Sequence, residues 1–161
     1  MYFVYATMII GLIGIDYFAK YLVVTNFSVS QSLPLWPEVF HLTYAQNTGA
    51  AFSIFSEHTS ILTVITLIIM AGIITYWIVV RPKNGLLLTA LSFIIAGGMG
   101  NIIDRLTRGF VVDFFDARII NFAIFNTADV FVSIGAGLLI IYFLFIERNK
   151  TDETNTIQNE L

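Results

Sequence analysis

Leu86-Leu87-Leu88-Thr89-Ala90-Leu91-Ser92-Phe93-Ile94-Ile95-Ala96-Gly97-Gly98-Met99-Gly100-Asn101-Ile102-Ile103, closed by Asp104-Arg105, decides the class of this protein. A membrane helix needs roughly 20 mostly apolar residues, because the hydrocarbon core is about 30 Å thick and each residue rises about 1.5 Å. The small residues of Ala96-Gly97-Gly98-Met99-Gly100 read as a packing face that lets another helix approach closely in lipid. Three other stretches are similar: Met1 to about Val24, interrupted by Asp16 and Lys20; about Ile61 to Val80, ended by Arg81-Pro82-Lys83; and about Val130 to Ile146, closed by Glu147-Arg148-Asn149-Lys150. The spans near 86–103 and 130–146 are short unless their polar ends dip inward. The expected fold is therefore an integral membrane protein, mainly α, with four transmembrane helices (about 1–24, 61–80, 86–103 and 130–146) in a single membrane-embedded domain, 1–161. The polar tail 151–161 is expected to be disordered.

Composition agrees. Of the 161 residues, 57% are hydrophobic and only 12% charged, with a mean hydropathy of +0.83, whereas soluble domains carry about a quarter charged residues. The net charge of -3 offers no basic field, so nucleic acid is set aside as a partner. The absence of cysteine excludes disulfides, thiolate metal sites and cysteine nucleophiles, and with His41 and His58 as the only imidazoles no histidine-rich metal site is expected. Met1 to Ile15 lacks a basic leader and a small-x-small cleavage site, so it reads as a retained span.

Four spans put both termini on one side. Arg81, Lys83, Arg148 and Lys150 lie on that side and Lys20, Arg105, Arg108 and Arg118 on the other, so the positive-inside count ties. Three of the opposite cations have nearby carboxylates, at Asp16, Asp104 and Asp116, that can consume them by pairing; the termini are therefore read as cytoplasmic. The outer face then holds Asp16, Glu38, Glu57, Asp104, Asp113, Asp116 and Asp129, against Glu147 and the tail acids inside. Val39 to Tyr44 and Phe110 to Phe115 are rich in aromatic and β-branched residues and are expected to pair as short strands in a small extracytoplasmic sheet. Gly109 permits a sharp entry into the second, and Pro34 and Pro37 confine the stretch before the first to turn or edge geometry.

Asp16 and Lys20, four apart, share a helical face, either as an anchoring ion pair or as a pair kept for function. Asn101, Asp104 and Arg105 share another face, where snorkelling explains Arg105 but not Asn101. Asp113 sits inside Phe110-Val111-Val112-Asp113-Phe114-Phe115, pointing the same way as Val111 and Phe115; burial among such neighbours raises a carboxyl pKa, as a general acid requires. Asp129 follows Phe125-Asn126-Thr127-Ala128 at a helix start, where the dipole favours the ionised form; capping by Asn126 or Thr127 is the simpler reading. Two carboxylates with opposite biases on one face suit the acid and base of water-activating hydrolysis. Ser53, Ser56 and Ser133 have no histidine or lysine at a suggestive spacing. In Tyr44-Ala45-Gln46-Asn47-Thr48-Gly49-Ala50-Ala51-Phe52, Asn47 either donates to a peptide carbonyl beside room left by Gly49 to Ala51 or forms a strand-to-helix turn.

Asp16 to Lys20, Asn47-Thr48-Gly49-Ala50-Ala51-Phe52, Gly100-Asn101-Ile102-Ile103-Asp104-Arg105, Val111-Val112-Asp113-Phe114 and Phe125-Asn126-Thr127-Ala128-Asp129 together closely resemble the lipoprotein signal peptidases, or signal peptidase II, over nearly the whole chain. The resemblance implies a bacterial inner-membrane aspartyl protease, without cofactor, that cuts diacylglyceryl-modified prolipoproteins just before the lipidated cysteine. It implies Asp113 and Asp129 as the catalytic dyad; Asn47, Gly49, Asn101, Asp104, Arg105 and Asn126 as residues lining or bracing the pocket; and Asp16 with Lys20 as a supporting pair. It also implies a β-cradle over the helices, contact with membrane lipid, inhibition by globomycin-type cyclic peptides and a monomer. Tyr17, and Ala45-Gln46 before Asn47, depart from the usual family pattern without touching the dyad. Within this scheme Asp16 and Asp104 are expected to brace Lys20 and Arg105, with Glu38, Glu57 and Asp116 as surface acids. The rival readings are a metal-dependent lipid phosphotransferase, holding Mg²⁺ on interfacial aspartates, and an ion or proton transporter using Asp16 and Lys20.

Overall fold

Within hydrocarbon a chain must satisfy its own backbone hydrogen bonds, which makes each apolar run a helix. The computed structural model describes residues 2–49, 59–120 and 122–147. In chain order the elements are α1 (Tyr2–Asn26), β1 (Ser32–Trp36), β2 (Phe40–Asn47), α2 (Thr59–Val80), α3 (Gly85–Arg108), β3 (Val111–Asp116), a 3₁₀ turn (Arg118–Ile120) and α4 (Thr127–Tyr142), which runs on into one π turn (Phe143–Glu147). All four helices are long and apolar enough to cross a membrane, and the expected four helices with a small antiparallel sheet are the observed architecture. Ala50, Ala51, Phe52, Ser53, Ser56, Glu57, His58, Arg148, Lys150 and the tail 151–161 lie outside the described residues.

The two short spans gain length by taking in their polar ends. The third continues past Ile103 to Arg108, and the fourth begins at Thr127, so Asn101, Asp104, Arg105 and Asp129 all stand on helices. Asn84 caps the start of α3 by accepting from the Leu87 N–H at 3.0 Å. Gly109, at φ 81°, ends it in the left-handed conformation and donates to the Arg105 carbonyl at 3.1 Å. This tight stop delivers the chain directly to β3.

Helix α3 is central: 67% of its most apolar stretch is buried, against 17% for α1 and 11% each for α2 and α4. Helices apolar all round and bare on their outer faces are suited to lipid. The small residues expected to serve packing do so on three sides. Gly97 abuts Ala128 and Val132 of α4, Gly98 abuts Met70 of α2, and a Cβ on Gly100 would stand 2.5 Å from Asp16 Oδ2 of α1. On α4, a Cβ on Gly135 would meet the Ala90 carbonyl at 2.7 Å.

The sheet has the order β1-β2-β3, antiparallel throughout. Pro34, which lacks an N–H, lies in the edge strand β1 as its chemistry demands. A bulge between Leu42 and Ala45 bends β2 against β3. The far edge of β3 is covered by Phe125, whose N–H and carbonyl bond Phe115 at 3.1 and 2.8 Å. Val112 and Phe114 pack with Tyr44 on Val23, seating the sheet on the end of α1.

The tight α3–α4 contact makes a direct expectation. Gly135→Val forces the helices apart and lowers stability by about 1–3 kcal/mol, whereas Gly137→Ala, where a Cβ meets nothing within 4 Å, stays within about 1 kcal/mol of the native protein. Thermal unfolding in detergent distinguishes the two.

Candidate active site

The site grows from a buried cation. Lys20 is 1% exposed, and its ammonium has three hydrogens and three acceptors: Asp16 Oδ2 at 2.9 Å, Asp104 Oδ2 at 3.1 Å and Asn101 Oδ1 at 3.0 Å. A charge this deep is tolerable only when paired and hydrogen-bonded. Thr127 Oγ1 donates to the other oxygen of Asp16, joining α1 to the start of α4. Asp104 Oδ2 also accepts the Val112 N–H at 3.1 Å, and its Oδ1 accepts from Arg108 Nε at 3.1 Å, joining α3 to β3.

That network fixes the asparagines. Lys20 only donates, so Asn101 must turn Oδ1 toward it, and its amide nitrogen then donates to Asp129 Oδ1 at 2.8 Å. Asn126 uses both amide hydrogens, on Asn101 Oδ1 at 3.1 Å and Asp113 Oδ1 at 2.6 Å. Its Oδ1 accepts the Asp129 N–H at 3.0 Å while its own N–H donates to Asp129 Oδ2 at 3.1 Å, a capping box at the head of α4. Capping and site building are thus one arrangement. Asn47, whose Oδ1 accepts the Gly49 N–H at 2.9 Å in a local turn, donates its amide to Asp113 Oδ2 at 2.8 Å. The turn reading of Asn47 is met in its Gly49 contact, while its amide goes to the Asp113 carboxylate rather than to a peptide carbonyl.

Asp113 and Asp129 consequently stand on different elements and line one cleft, every carboxylate oxygen receiving an N–H. The cleft measures about 650 Å³. Its polar lining is Asn47, Gly49, Asn101, Arg105, Asp113 and Asp129, and its apolar lining includes Phe122, Ile124, Phe125, Val130, Val132 and Ile134. Burial, then the neighbouring charge of Asp129, pushes the Asp113 carboxyl up to about 7, against the pull of Asn47, Asn126 and Lys20. Arg105 feels the charges of Asp129, Asp113 and Asp104, and its Nε is buried with no hydrogen-bond partner among the described residues.

Two expectations need correction. Asp104 braces Lys20 and Arg108 rather than Arg105, because the neighbouring helical position turns Arg105 into the cleft. Asp116 is not an ordinary surface acid: it is 9% exposed and accepts from Thr43 Oγ1 at 2.7 Å and Arg118 Nε at 3.0 Å. Sequence reasoning missed Arg108, Thr127 and the apolar wall at 122–134. Arg108 lies four residues after Asp104, a spacing that signals the pair, while nothing local announces Thr127 meeting Asp16.

Removing the hub strands its partners. Lys20→Met leaves Asp16 and Asp104 buried without their shared cation and is expected to cost about 3–5 kcal/mol, read as a lower unfolding midpoint in detergent.

With this geometry in hand, comparison with known proteins is informative. The family model described as signal peptidase (SPase) II matches residues 8–145. The lipoprotein signal peptidase of Brevibacillus brevis is 41% identical over 150 residues, covering 92% of this chain and 99% of that one. That of Gloeothece citriformis is 45% identical over 135 residues, 83% of each chain. A bacterial membrane enzyme solved by the in meso method at 2.3 Å resolution superposes with a TM-score of 0.84 at 33% identity, covering 91% of both chains. A second such structure, at 1.9 Å, gives a TM-score of 0.80 at 32% identity, over 89% of this chain and 94% of its own. The chain is a multi-pass membrane protein and belongs to the signal peptidase II family.

Proposed function

We propose that this protein is an aspartyl endopeptidase of the bacterial inner membrane that removes the signal peptide from diacylglyceryl-modified prolipoproteins, cutting just before the lipidated cysteine. The observation that carries the reading is that Asp113 and Asp129 line one cleft together, among other polar residues and a set of apolar ones. Family membership supports the substrate class, since the curated relatives are lipoprotein signal peptidases.

Near neutral pH the pair shares one proton and titrates as a unit; in the reactive form Asp113 holds that proton while Asp129, receiving the Asn126 backbone N–H and the Asn101 amide at the start of α4, carries the charge. Asp129 takes a proton from a bound water, whose oxygen attacks the scissile carbonyl, while Asp113 gives its proton to the carbonyl oxygen. Collapse of the resulting gem-diol breaks the C–N bond. The leaving nitrogen takes the proton from Asp129, and Asp113 recovers one from the gem-diol hydroxyl, restoring the starting state. No covalent intermediate and no cofactor enters this scheme. Arg105, in the cleft wall, adds positive charge where the transition state gathers negative charge. Asn47, Asn101 and Asn126 hold the carboxylates, and Asp16, Lys20 and Asp104 hold the asparagines and β3.

The apolar walls from Phe122 to Ile134 suit a signal helix entering from the bilayer, with the lipid chains left in the membrane. A globomycin-type cyclic peptide would compete for the same cleft. The protein is taken to act as a monomer and a single domain. The termini are assigned to the cytoplasm and the acids to the outer face because the family resemblance implies it, the charge count being tied.

Purified protein with a diacylated prolipoprotein tests the reading. Asp113→Asn and Asp129→Asn are each expected to lose about 10³-fold or more in cleavage, with native activity insensitive to EDTA. Full cleavage by either variant would sink the dyad. Loss in EDTA with recovery in Mg²⁺ favours the phosphotransferase, and ion flux without proteolysis the transporter. Activity should also fall as pH rises through about 7, where Asp113 loses its proton. The linked stability runs the same way. A carboxyl raised from 3.8 to about 7 contributes stability at low pH that is lost as pH rises between those values, so the unfolding midpoint of the native protein should fall more between pH 5 and pH 8 than that of Asp113→Asn.

A further inference from the structure

The sheet carries a second polar cluster, outside the cleft, which the reaction does not use. Ser32 on β1 lies opposite Thr43 on β2, and His41 on β2 lies opposite Asp116 on β3. Ser32 Oγ is 3.0 Å from His41 Nδ1 and 2.8 Å from Thr43 Oγ1; Thr43 Oγ1 is 2.7 Å from Asp116 Oδ2. Arg118, from the 3₁₀ turn, donates Nε to Asp116 Oδ2 and Nη2 to Ser32 Oγ, both at 3.0 Å. His41 is 8% exposed, and its Nε2 is buried with no partner among the described residues.

Counting hydrogens orders this cluster. A guanidinium only donates, and an ionised carboxylate only accepts. Asp116 is held below the usual carboxylate range: burial opposes this, but Thr43 and Arg118 outweigh it. Thr43 therefore spends its one hydrogen on Asp116, and the 2.8 Å Ser32–Thr43 contact needs the Ser32 hydrogen. Ser32 then has none to give His41, so the 3.0 Å contact requires His41 to donate from Nδ1. The bare Nε2 agrees independently. On the neutral ring it is then an acceptor, whereas the opposite tautomer would bury an orphan N–H, the costlier defect.

The geometry points to His41 as a positioning residue whose Nδ1–H opens a one-way hydrogen-bond chain through Ser32 and Thr43 to Asp116, closed by Arg118, that clamps β1 and the 118–120 turn to β3. The charged groups facing His41 across this chain are Asp116 and Arg118. The clamped pieces carry exposed apolar residues, Leu33, Leu35 and Trp36 on β1 and Ile119 and Ile120 on the turn, so the chain sets where this apolar rim meets a lipidated substrate. Asp113 is held separately by Asn47 and Asn126, so loosening the clamp affects substrate engagement more than chemistry. The effect on cleavage rests on the peptidase reading; the hydrogen-bond chain does not.

Nitrogen-15 NMR of ring-labelled full-length protein in detergent reads the chain directly, with His58→Gln assigning the two histidines. The neutral His41 ring is expected to show a protonated Nδ1 and a bare Nε2; a protonated Nε2 with bare Nδ1 overturns the proposal, whatever the activity. In kinetics with a diacylated prolipoprotein, His41→Phe should raise KM about fivefold with kcat within about twofold, and His41→Asn, which keeps a donor near Nδ1, should restore KM. Equal KM in the two variants, or a loss confined to kcat, overturns the positioning role. If no variant and no native protein cleaves, the peptidase reading fails while the ring nitrogens still decide the chain.

Discussion

The ammonium of Lys20 is the contact on which the rest of the site depends. It is buried among the helices, where an unpaired charge is prohibitively costly, and its three hydrogens are met by α1 through Asp16 and by α3 through Asp104 and Asn101. Each acceptor then commits its remaining capacity elsewhere: Asp16 to Thr127 at the head of α4, Asp104 to the Val112 backbone on β3, Asn101 to Asp129. A single cation thereby fixes the relative positions of three helices and a strand. Close packing around it requires Gly100, since a Cβ there would fall against Asp16.

From that hub the chemistry follows by donor and acceptor bookkeeping. Asn101 is oriented by Lys20, Asn126 by Asn101 and by the capping box, and the two carboxylates by the amides that result. The environments of the acids differ because their elements differ. Asp113 sits within a strand of buried neighbours, where losing its proton is unfavourable; Asp129 opens a helix and bonds backbone N–H. On the proposed reaction these two side chains of one type take opposite tasks. The carboxylate oxygens of the pair are all hydrogen-bonded, which makes their placement rigid; on the proposed reaction that rigidity keeps a reacting atom within reach of both acids.

Much of this was legible in the sequence, for identifiable reasons. Apolar length marked the helices, aromatic and β-branched runs marked two strands, and Gly109 marked the abrupt passage from α3 to β3. The five motifs brought Asp16, Lys20, Asn47, Asn101, Asp113, Asn126 and Asp129 into one constellation, which the structure draws together. Partner choice was harder. Asp104 and Arg105 are adjacent in sequence and so invite pairing, yet 100° of helical rotation sends one to Lys20 and the other into the cleft. Asp116 looked like a loop acid because its partners, Thr43 and Arg118, come together only through strand register and a 3₁₀ turn. Contacts that span 111 residues, such as Thr127 with Asp16, leave no periodic trace.

The division of labour between the acids is tested most directly by infrared spectroscopy of the native protein and its Asp113→Asn variant across pH. A protonated carboxylic acid band should be present in the native protein at pH 5 with a component that fades with a midpoint near 7, and that component should be missing from the variant. A component that persists unchanged in Asp113→Asn, or its absence from the native protein throughout this range, contradicts the assignment.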